Sequence, residues 1–278
     1  MNLLHALIFG FIEGITEFLP VSSTGHLTIA EKLLGYHIND AGITAFTAII
    51  QVGAILATVL YFRRDIVRIA AAWLGGLTSA PKRATQDYRF GWAIIIGSVP
   101  IAIAGLLFKD QIETTLRSLW IVALALLLWS GVMWFADRVG KRNRPETATT
   151  WKDALIIGLV QCLALVPGVS RSGATMSAGL LRGFDRVAVT KLSFFLSIPA
   201  LLAAGALELV TKSGDIANGV GWTATILATV VSFVVAYFVV DWLLKFIARH
   251  DYSVFIIYRV LLALVLIGLL ASHTISAT

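Results

Sequence analysis

Two carboxylates lie one helical turn apart near the start of the chain, in a stretch that is otherwise apolar. Glu13 and Glu17 are four residues apart, so they share one face of a helix. Ionised groups are costly in an apolar interior unless they share a proton or hold a cation through their oxygens. A helix end wet enough to solvate both is the alternative. We favour a functional pair that handles protons or binds a divalent metal ion.

A cluster of hydroxyl groups with one imidazole follows this pair. Pro20 ends the first helix, and Ser22 or Ser23 can cap the next one, whose free N–H groups attract an anion. His26 follows Ser23 by three residues, which lets a hydroxyl nucleophile and a proton-handling imidazole face one pocket. Plain capping and a hydrogen-bonded histidine are the alternatives. With Thr24, this segment is predicted to contact an anionic substrate.

A second polar segment, residues 170–175, interrupts another apolar stretch after Pro167. Arg171 in this segment is a permanent charge between two apolar helices, and its guanidinium suits phosphate. A structural ion pair with Glu13 or Glu17 is the alternative. The residues of this segment predicted to bind a diphosphate are Ser170, Arg171, Ser172 and Thr175.

Together the two segments offer carboxylates, an imidazole, a guanidinium, hydroxyls and two helix N-termini. That set is typical of phosphoryl transfer, with Arg171 balancing charge on the transferred group. A covalent phosphate on Ser23 would divide the reaction into two steps. The choice between Ser23 and His26 as nucleophile stays open.

The amino-acid composition indicates the environment of these residues. Of 278 residues, 58% are hydrophobic and only 14% are charged, and the net charge of +6 is spread over short segments between apolar runs. Soluble domains carry about a quarter charged residues. The chain is therefore predicted to be an all-α polytopic membrane protein rather than a soluble enzyme, a disordered chain or a nucleic-acid-binding domain.

Six stretches are long enough to cross a bilayer as helices, which takes about 20 apolar residues. The predicted spans are 43–62, 90–108, 118–136, 192–210, 221–240 and 254–271. Two further apolar regions, 3–34 and 153–181, are interrupted at Pro20 and Pro167. Irregular backbone at membrane depth requires burial in protein or a cavity, so both are predicted to be re-entrant hairpins.

The two interrupted regions are related at an offset of 148 residues. Gly10, Val21, Ser22, Gly25, Ala30, Leu33 and Gly35 fall on Gly158, Val169, Ser170, Gly173, Ala178, Leu181 and Gly183. We predict one membrane domain, 1–278, built from a first repeat (1–136), a cytoplasmic linker (137–152) and a second repeat (153–278). Three spans per repeat is an odd number, so the second repeat is inverted and the site lies near the midplane.

Basic residues predict the orientation. Sixteen Lys and Arg residues fall on one face of the predicted topology and four on the other, which makes the first face cytoplasmic. Both termini are then outside, and the first hairpin enters from outside. Segment 65–77 is predicted to be an amphipathic helix on the inner surface. Arg259, in the last span, is expected to snorkel and pair with Asp241 or lipid phosphate.

Both motifs resemble those of a known family. Glu13-Gly-Ile-Thr-Glu-Phe-Leu-Pro-Val-Ser-Ser-Thr-Gly-His26 and Pro167-Gly-Val-Ser-Arg-Ser-Gly-Ala-Thr175 are similar to the signature motifs of the bacterial undecaprenyl-diphosphate phosphatases, the bacitracin-resistance proteins of the BacA/UppP type. The resemblance covers essentially the whole chain, with no departure from either motif.

The resemblance implies an activity and a set of roles. The enzyme would remove the terminal phosphate of undecaprenyl diphosphate at the outer face of the bacterial cytoplasmic membrane, recycling the carrier for peptidoglycan and conferring bacitracin resistance. Glu13 and Glu17 would be the acidic pair associated with dependence on a divalent cation, Mg²⁺ or Ca²⁺, and with proton transfer. Ser23 would be the nucleophile beside His26, and Ser170, Arg171 and Thr175 would grip the diphosphate.

A polyprenyl-phosphate transporter or flippase is the alternative function, because inverted repeats with midplane sites are typical of transporters. Membrane lipids are the other expected partners, nucleic acid is not, and a homodimer is the candidate assembly.

Overall fold

The computed structural model of the chain describes residues 1–38 and 40–277. Within these residues the regular secondary structure is α-helical, with two short 3-10 helices and no strand. The α-helices are α1 (Leu3–Thr16), α2 (Ser23–Leu33), α3 (Ala41–Tyr61), α4 (Arg63–Thr78), α5 (Ala80–Arg83), α6 (Gln86–Leu107), α7 (Lys109–Glu113), α8 (Leu119–Val139), α9 (Trp151–Gln161), α10 (Arg171–Leu181), α11 (Arg186–Thr211), α12 (Ser213–Asn218), α13 (Trp222–Ile247) and α14 (Ser253–Ala271).

The six predicted spans are confirmed as helices. Helices α3, α6, α8, α11, α13 and α14 are each long and apolar enough to cross a membrane. Their ends lie within a few residues of the predicted ends, except that α11 begins six residues early and α13 continues seven residues further, in each case through a charged turn. Segment 65–77 also forms the predicted helix, as part of α4.

The two interrupted regions form helical hairpins. Helices α1 and α2 are joined by a break that contains Pro20, and α9 and α10 by a break that contains Pro167 and a 3-10 turn, Cys162–Leu165. Both breaks are deep in the molecule, because Phe18 and Val21 on the first and Val169 on the second are buried in apolar clusters. The sequence prediction of a helix, a polar break and a second short helix is confirmed in both places.

Each hairpin packs its first helix against a long helix through glycine. In α1, Gly10 and Gly14 lie against the backbone of α13, and in α9, Gly158 lies against Gly97 of α6. Close approach of this kind is how helices associate in lipid, where dispersion contacts replace the hydrophobic driving force.

A charged cluster fixes the base of the second hairpin. Arg144 of the linker forms an ion pair with Asp153 at 2.6 Å, and Arg182, after α10, reaches the same carboxylate at 2.9 Å. Thr150 caps α9 and forms a capping box with Asp153. The linker residue Arg144 and Arg182 therefore hold the start of α9 and the end of α10 together through Asp153.

We predict that Gly158→Ala destabilises the protein, because the new Cβ would overlap the carbonyl oxygen of Gly97 and α9 would have to move away from α6. The expected loss is about 1–3 kcal/mol. Gly131→Ala, in α8, is the matched control: no atom lies within 4 Å of its added Cβ, and helix propensity favours alanine by about 1 kcal/mol. Equal shifts in the unfolding midpoints of the two variants in detergent would contradict the packing account.

Candidate active site

The tips of the two hairpins touch each other. The Ser22 hydroxyl oxygen accepts a hydrogen bond from the backbone N–H of Gly168 at 3.2 Å. In the other direction, the Ser172 hydroxyl donates to the carbonyl of Leu19 at 2.9 Å. Backbone that leaves a helix in the interior needs such partners, because an unsatisfied buried polar group costs about 1–3 kcal/mol. The two predicted polar segments are thus brought together.

The two breaks have matching local structure. Ser22 and Ser170 cap α2 and α10 with φ angles of 75° and 77°, in the left-handed region that non-glycine residues rarely adopt. Each hydroxyl accepts from the N–H three residues on, that of Gly25 or Gly173, at 3.2 Å. Such strain costs about 1–3 kcal/mol and is typical of functional sites.

Arg259 joins both breaks from α14. Its guanidinium is fully buried and donates to the carbonyl of Pro20 at 3.2 Å and to that of Gly168 at 2.9 Å. The Nε group donates to the Ser130 hydroxyl of α8 at 3.1 Å. The expectation that Arg259 snorkels or pairs with Asp241 is wrong, because α14 turns this side chain inward onto the free carbonyls of the breaks.

Ser23, Glu17 and Arg171 form one continuous chain of contacts. The Ser23 hydroxyl donates to Glu17 Oε2 at 2.5 Å, and Arg171 Nη2 donates to Glu17 Oε1 at 2.8 Å. Arg171 Nη1 also donates to the carbonyl of Ser193 at 3.1 Å, which holds the guanidinium against α11. The ion pair considered from the sequence therefore forms, with Glu17, and it places the arginine beside the carboxylate that accepts from Ser23.

Glu13 lies one turn before Glu17 and is fully buried. Neither of its carboxylate oxygens has a hydrogen-bond partner. Burying a charged carboxylate without a hydrogen-bond partner costs folding free energy. The two oxygens of Glu13 are therefore a candidate site for a bound proton or cation.

A cavity of about 270 Å³ opens at the junction of the hairpins. Its polar wall carries residues of both breaks, and apolar residues of α6 and α11, among them Ile101 and Leu201, form another wall. The predicted site residues that line it are Glu17, Ser22, Ser23, Thr24, Ser170 and Arg171. A polar end beside apolar walls suits a charged head group attached to a hydrocarbon.

Four predicted site residues lie outside the lining of this cavity: Glu13, His26, Ser172 and Thr175. Ser172 and Thr175 are fully buried, and Thr175 bonds to the Ser193 hydroxyl at 2.7 Å, so both side chains support the second break. His26 bonds to the Ser22 carbonyl and to Tyr258 instead of Ser23. Spacing along a helix indicates a shared face but does not identify the partner from another helix.

The cavity also holds an arginine–glutamate pair that the sequence analysis did not single out. Arg117, before α8, donates to both oxygens of Glu31 in α2 at 2.9 Å and to the Thr44 hydroxyl. Glu31 is fully buried, and all three residues line the cavity. The available signal in the sequence was a glutamate near the end of a short, otherwise largely apolar hairpin helix.

The arrangement of the cavity fits one kind of chemistry. A hydroxyl that donates to a carboxylate can lose its proton as it attacks, and a neighbouring guanidinium can balance charge on a phosphoryl group. Two helices begin at the cavity, so their N-termini add partial positive charge.

Comparison with known proteins identifies the family. The family model described as bacitracin resistance protein BacA matches residues 6–265. The chain belongs to the BacA family. It is 67% identical to undecaprenyl-diphosphatase 3 of Frankia casuarinae over 278 residues, with both chains fully covered. Identity is 58% to undecaprenyl-diphosphatase of Cutibacterium acnes over 284 residues, again with full coverage. It is 50% to undecaprenyl-diphosphatase 1 of Streptomyces avermitilis, covering 99% of each chain.

Membership in the BacA family confirms the resemblance seen in the two motifs, and it agrees with the six apolar helices of a multi-pass membrane protein. Both motifs lie inside the matched region.

We predict that Arg259→Met destabilises the protein by at least about 2 kcal/mol, because the buried carbonyls of Pro20 and Gly168 lose their donor. Arg249→Met, at an exposed arginine just after α13, is the control and should change stability little. Unfolding in mixed detergent micelles measures both. An Arg259→Met variant as stable as the control would mean that this contact does not hold the breaks together.

Proposed function

We propose that the protein hydrolyses undecaprenyl diphosphate to undecaprenyl phosphate and inorganic phosphate. The observation that carries this proposal is the contact of the Ser23 hydroxyl with Glu17 and of Glu17 with Arg171, at the polar end of a cavity with apolar walls. The curated relatives named undecaprenyl-diphosphatase support the substrate. Recycling of the lipid carrier and resistance to bacitracin follow from this activity and fit the family's description.

In the first step the Ser23 oxygen attacks the terminal phosphorus. The bond from Oγ to phosphorus forms while the bond from phosphorus to the bridging oxygen breaks, and undecaprenyl phosphate leaves with the electron pair. The Ser23 proton goes to Glu17, whose Oε2 already accepts it in a hydrogen bond. Arg171 exchanges part of its contact with Glu17 for the phosphoryl oxygens as Glu17 becomes neutral.

In the second step water attacks the phosphoserine. Glu17 has by then passed the Ser23 proton to the departing undecaprenyl phosphate, so it is again a carboxylate and takes a proton from this water. The bond from Ser23 Oγ to phosphorus breaks and inorganic phosphate leaves. Glu17 returns its proton to Ser23 Oγ, so the enzyme returns to its starting state. Ser22, Thr24 and Ser170 line the same cavity and supply further hydrogen-bonding groups to the phosphates.

We further propose that Glu13 helps to hold a divalent cation, Mg²⁺ or Ca²⁺. Its two unpartnered oxygens are the supporting observation, with Glu17 one turn away. No group of three or more His, Cys, Asp or Glu side chains suited to a metal occurs in the described part of the chain. A cation held by one or two carboxylates and substrate phosphates is typical of Mg²⁺. When bound, it would neutralise charge on the diphosphate.

The location of the site is also a proposal. We infer two inverted repeats, with both hairpins re-entrant, both termini outside and the cavity open to the outer face of the bacterial cytoplasmic membrane. The matching turns at Ser22 and Ser170 support the repeat. So do the buried, unpartnered side chains at the matched positions Glu13 and Gln161. The basic residues gathered on one face support the orientation. The homodimer stays a prediction from the sequence.

The proposal predicts that Ser23→Ala lowers phosphate release from undecaprenyl diphosphate by at least about 1,000-fold, because the attacking atom is gone. Glu17→Gln keeps the size of the side chain but cannot take the proton, and should cost about 100- to 10,000-fold. Purified protein in detergent is assayed for released phosphate. Ser213→Ala, at an exposed serine of α12, is the control and should match the wild type.

Two results would contradict this account. Wild-type release from Ser23→Ala would exclude Ser23 as the nucleophile. No release by well-folded wild-type protein that still binds the lipid would favour the polyprenyl-phosphate transporter instead.

Cation dependence is tested separately. We predict that a chelator abolishes phosphate release and that Glu13→Gln raises the Mg²⁺ or Ca²⁺ concentration needed for half-maximal activity by at least about tenfold, or about 1.4 kcal/mol. Direct Mn²⁺ binding, followed by electron paramagnetic resonance, should weaken in the same variant. Unchanged metal titrations in Glu13→Gln would exclude this carboxylate as a ligand.

A further inference from the structure

His26 has two hydrogen-bond partners, and neither is Ser23. Its Nδ1 lies 2.7 Å from the Ser22 carbonyl oxygen, and its Nε2 lies 2.6 Å from the Tyr258 hydroxyl. The rings of His26 and Tyr258 are nearly parallel, with 8° between their planes. The imidazole is therefore held between the first break and α14.

The partners determine where the imidazole proton lies. A carbonyl oxygen only accepts, so Nδ1 carries a hydrogen and donates it to Ser22. In the neutral ring Nε2 is then the acceptor, and the Tyr258 hydroxyl donates to it. The only basic nitrogen of His26 is thus occupied by tyrosine.

The carbonyl that His26 holds belongs to the peptide bond between Ser22 and Ser23. This peptide follows the left-handed φ of 75° at Ser22, so its orientation is strained, and it sets where α2 and the Ser23 side chain begin. A donor fixed on the carbonyl opposes relaxation of this turn. Small displacements of a reacting group are costly, about 100-fold for 1 Å.

We propose that Tyr258 and His26 are positioning residues for the reaction: Tyr258 fixes the imidazole, and the Nδ1–H of His26 fixes the strained peptide that aims Ser23 at the phosphate. Tyr258 and Arg259 are neighbours on α14, so one turn of this helix supports Ser23 through two routes. Arg259 holds the carbonyl of Pro20, and Tyr258 acts through His26 on that of Ser22. The inference rests on the proposed role of Ser23, which Ser23→Ala tests separately.

Two substitutions of His26 separate positioning from proton transfer. The amide nitrogen of asparagine falls near the Nδ1 position of histidine and can still donate to the Ser22 carbonyl, whereas that of glutamine falls near Nε2. We expect His26→Asn to keep kcat within about fivefold of the wild type and His26→Gln to lower it by about 100-fold. KM for the lipid should stay unchanged in both variants, because His26 does not line the cavity.

Tyr258→Phe retains the ring and removes only the hydroxyl. We expect it to lower kcat by about tenfold in the wild type and to have no effect in the His26→Asn background, where no imidazole is left to fix. Tyr36→Phe is the matched control, because the Tyr36 hydroxyl bonds to the imidazole of His5 at 2.8 Å outside the cavity. It should match the wild type.

Three results would overturn the proposal. Equal losses in His26→Asn and His26→Gln would mean that the imidazole itself handles protons or attacks. A Tyr258→Phe variant as active as Tyr36→Phe would show that the Tyr258 hydroxyl does not position His26. A loss from Tyr258→Phe that persists in the His26→Asn background would show a route other than His26. Melting temperatures of all variants, measured in the same detergent, exclude unfolding as the cause.

Discussion

Two interrupted helices inside an apolar protein leave backbone carbonyl and N–H groups without helical partners. The other side chains at the junction of the hairpins are arranged to supply the missing hydrogen bonds. Arg259 satisfies carbonyls of both breaks at once, and the hydroxyls of Ser22 and Ser172 link each break to the other. Because a buried guanidinium is stable only when its donors are bonded, the breaks and the arginine fix one another. The strained turn before Ser23 is held by this mutual arrangement.

The same junction also concentrates charge. Two arginine–glutamate pairs, Arg171 with Glu17 and Arg117 with Glu31, line one cavity between apolar walls. A buried pair loses much of its attraction to desolvation, so an anionic substrate can compete for the arginine once the carboxylate takes a proton. Proton transfer from Ser23 to Glu17 would then release Arg171 for the phosphate at the moment when charge develops there.

Sequence patterns predicted the long helices and both breaks, because apolar length, proline and runs of serine are local signals. They also singled out Glu17, Ser23 and Arg171, which contact one another in the structure, because ionisable side chains in apolar membrane stretches are costly and are candidates for function. They failed for Arg259 and gave no partner for His26. In both cases the partner belongs to another element: α14 contacts the first break across more than 200 residues of chain. Hydrophobic periodicity predicts which face of a helix a residue occupies, but it does not predict which side chain from another helix contacts it.

The most direct test of the account is to find the phosphorylated residue. Protein mixed with undecaprenyl diphosphate labelled in its terminal phosphate is denatured at neutral pH within the first turnover, and the labelled peptide is mapped by mass spectrometry. We predict phosphate on Ser23, stable to acid and released by alkali. Acid-labile phosphate on His26, or turnover without any labelled peptide, would contradict a site in which Glu17 activates Ser23 and His26 only positions it.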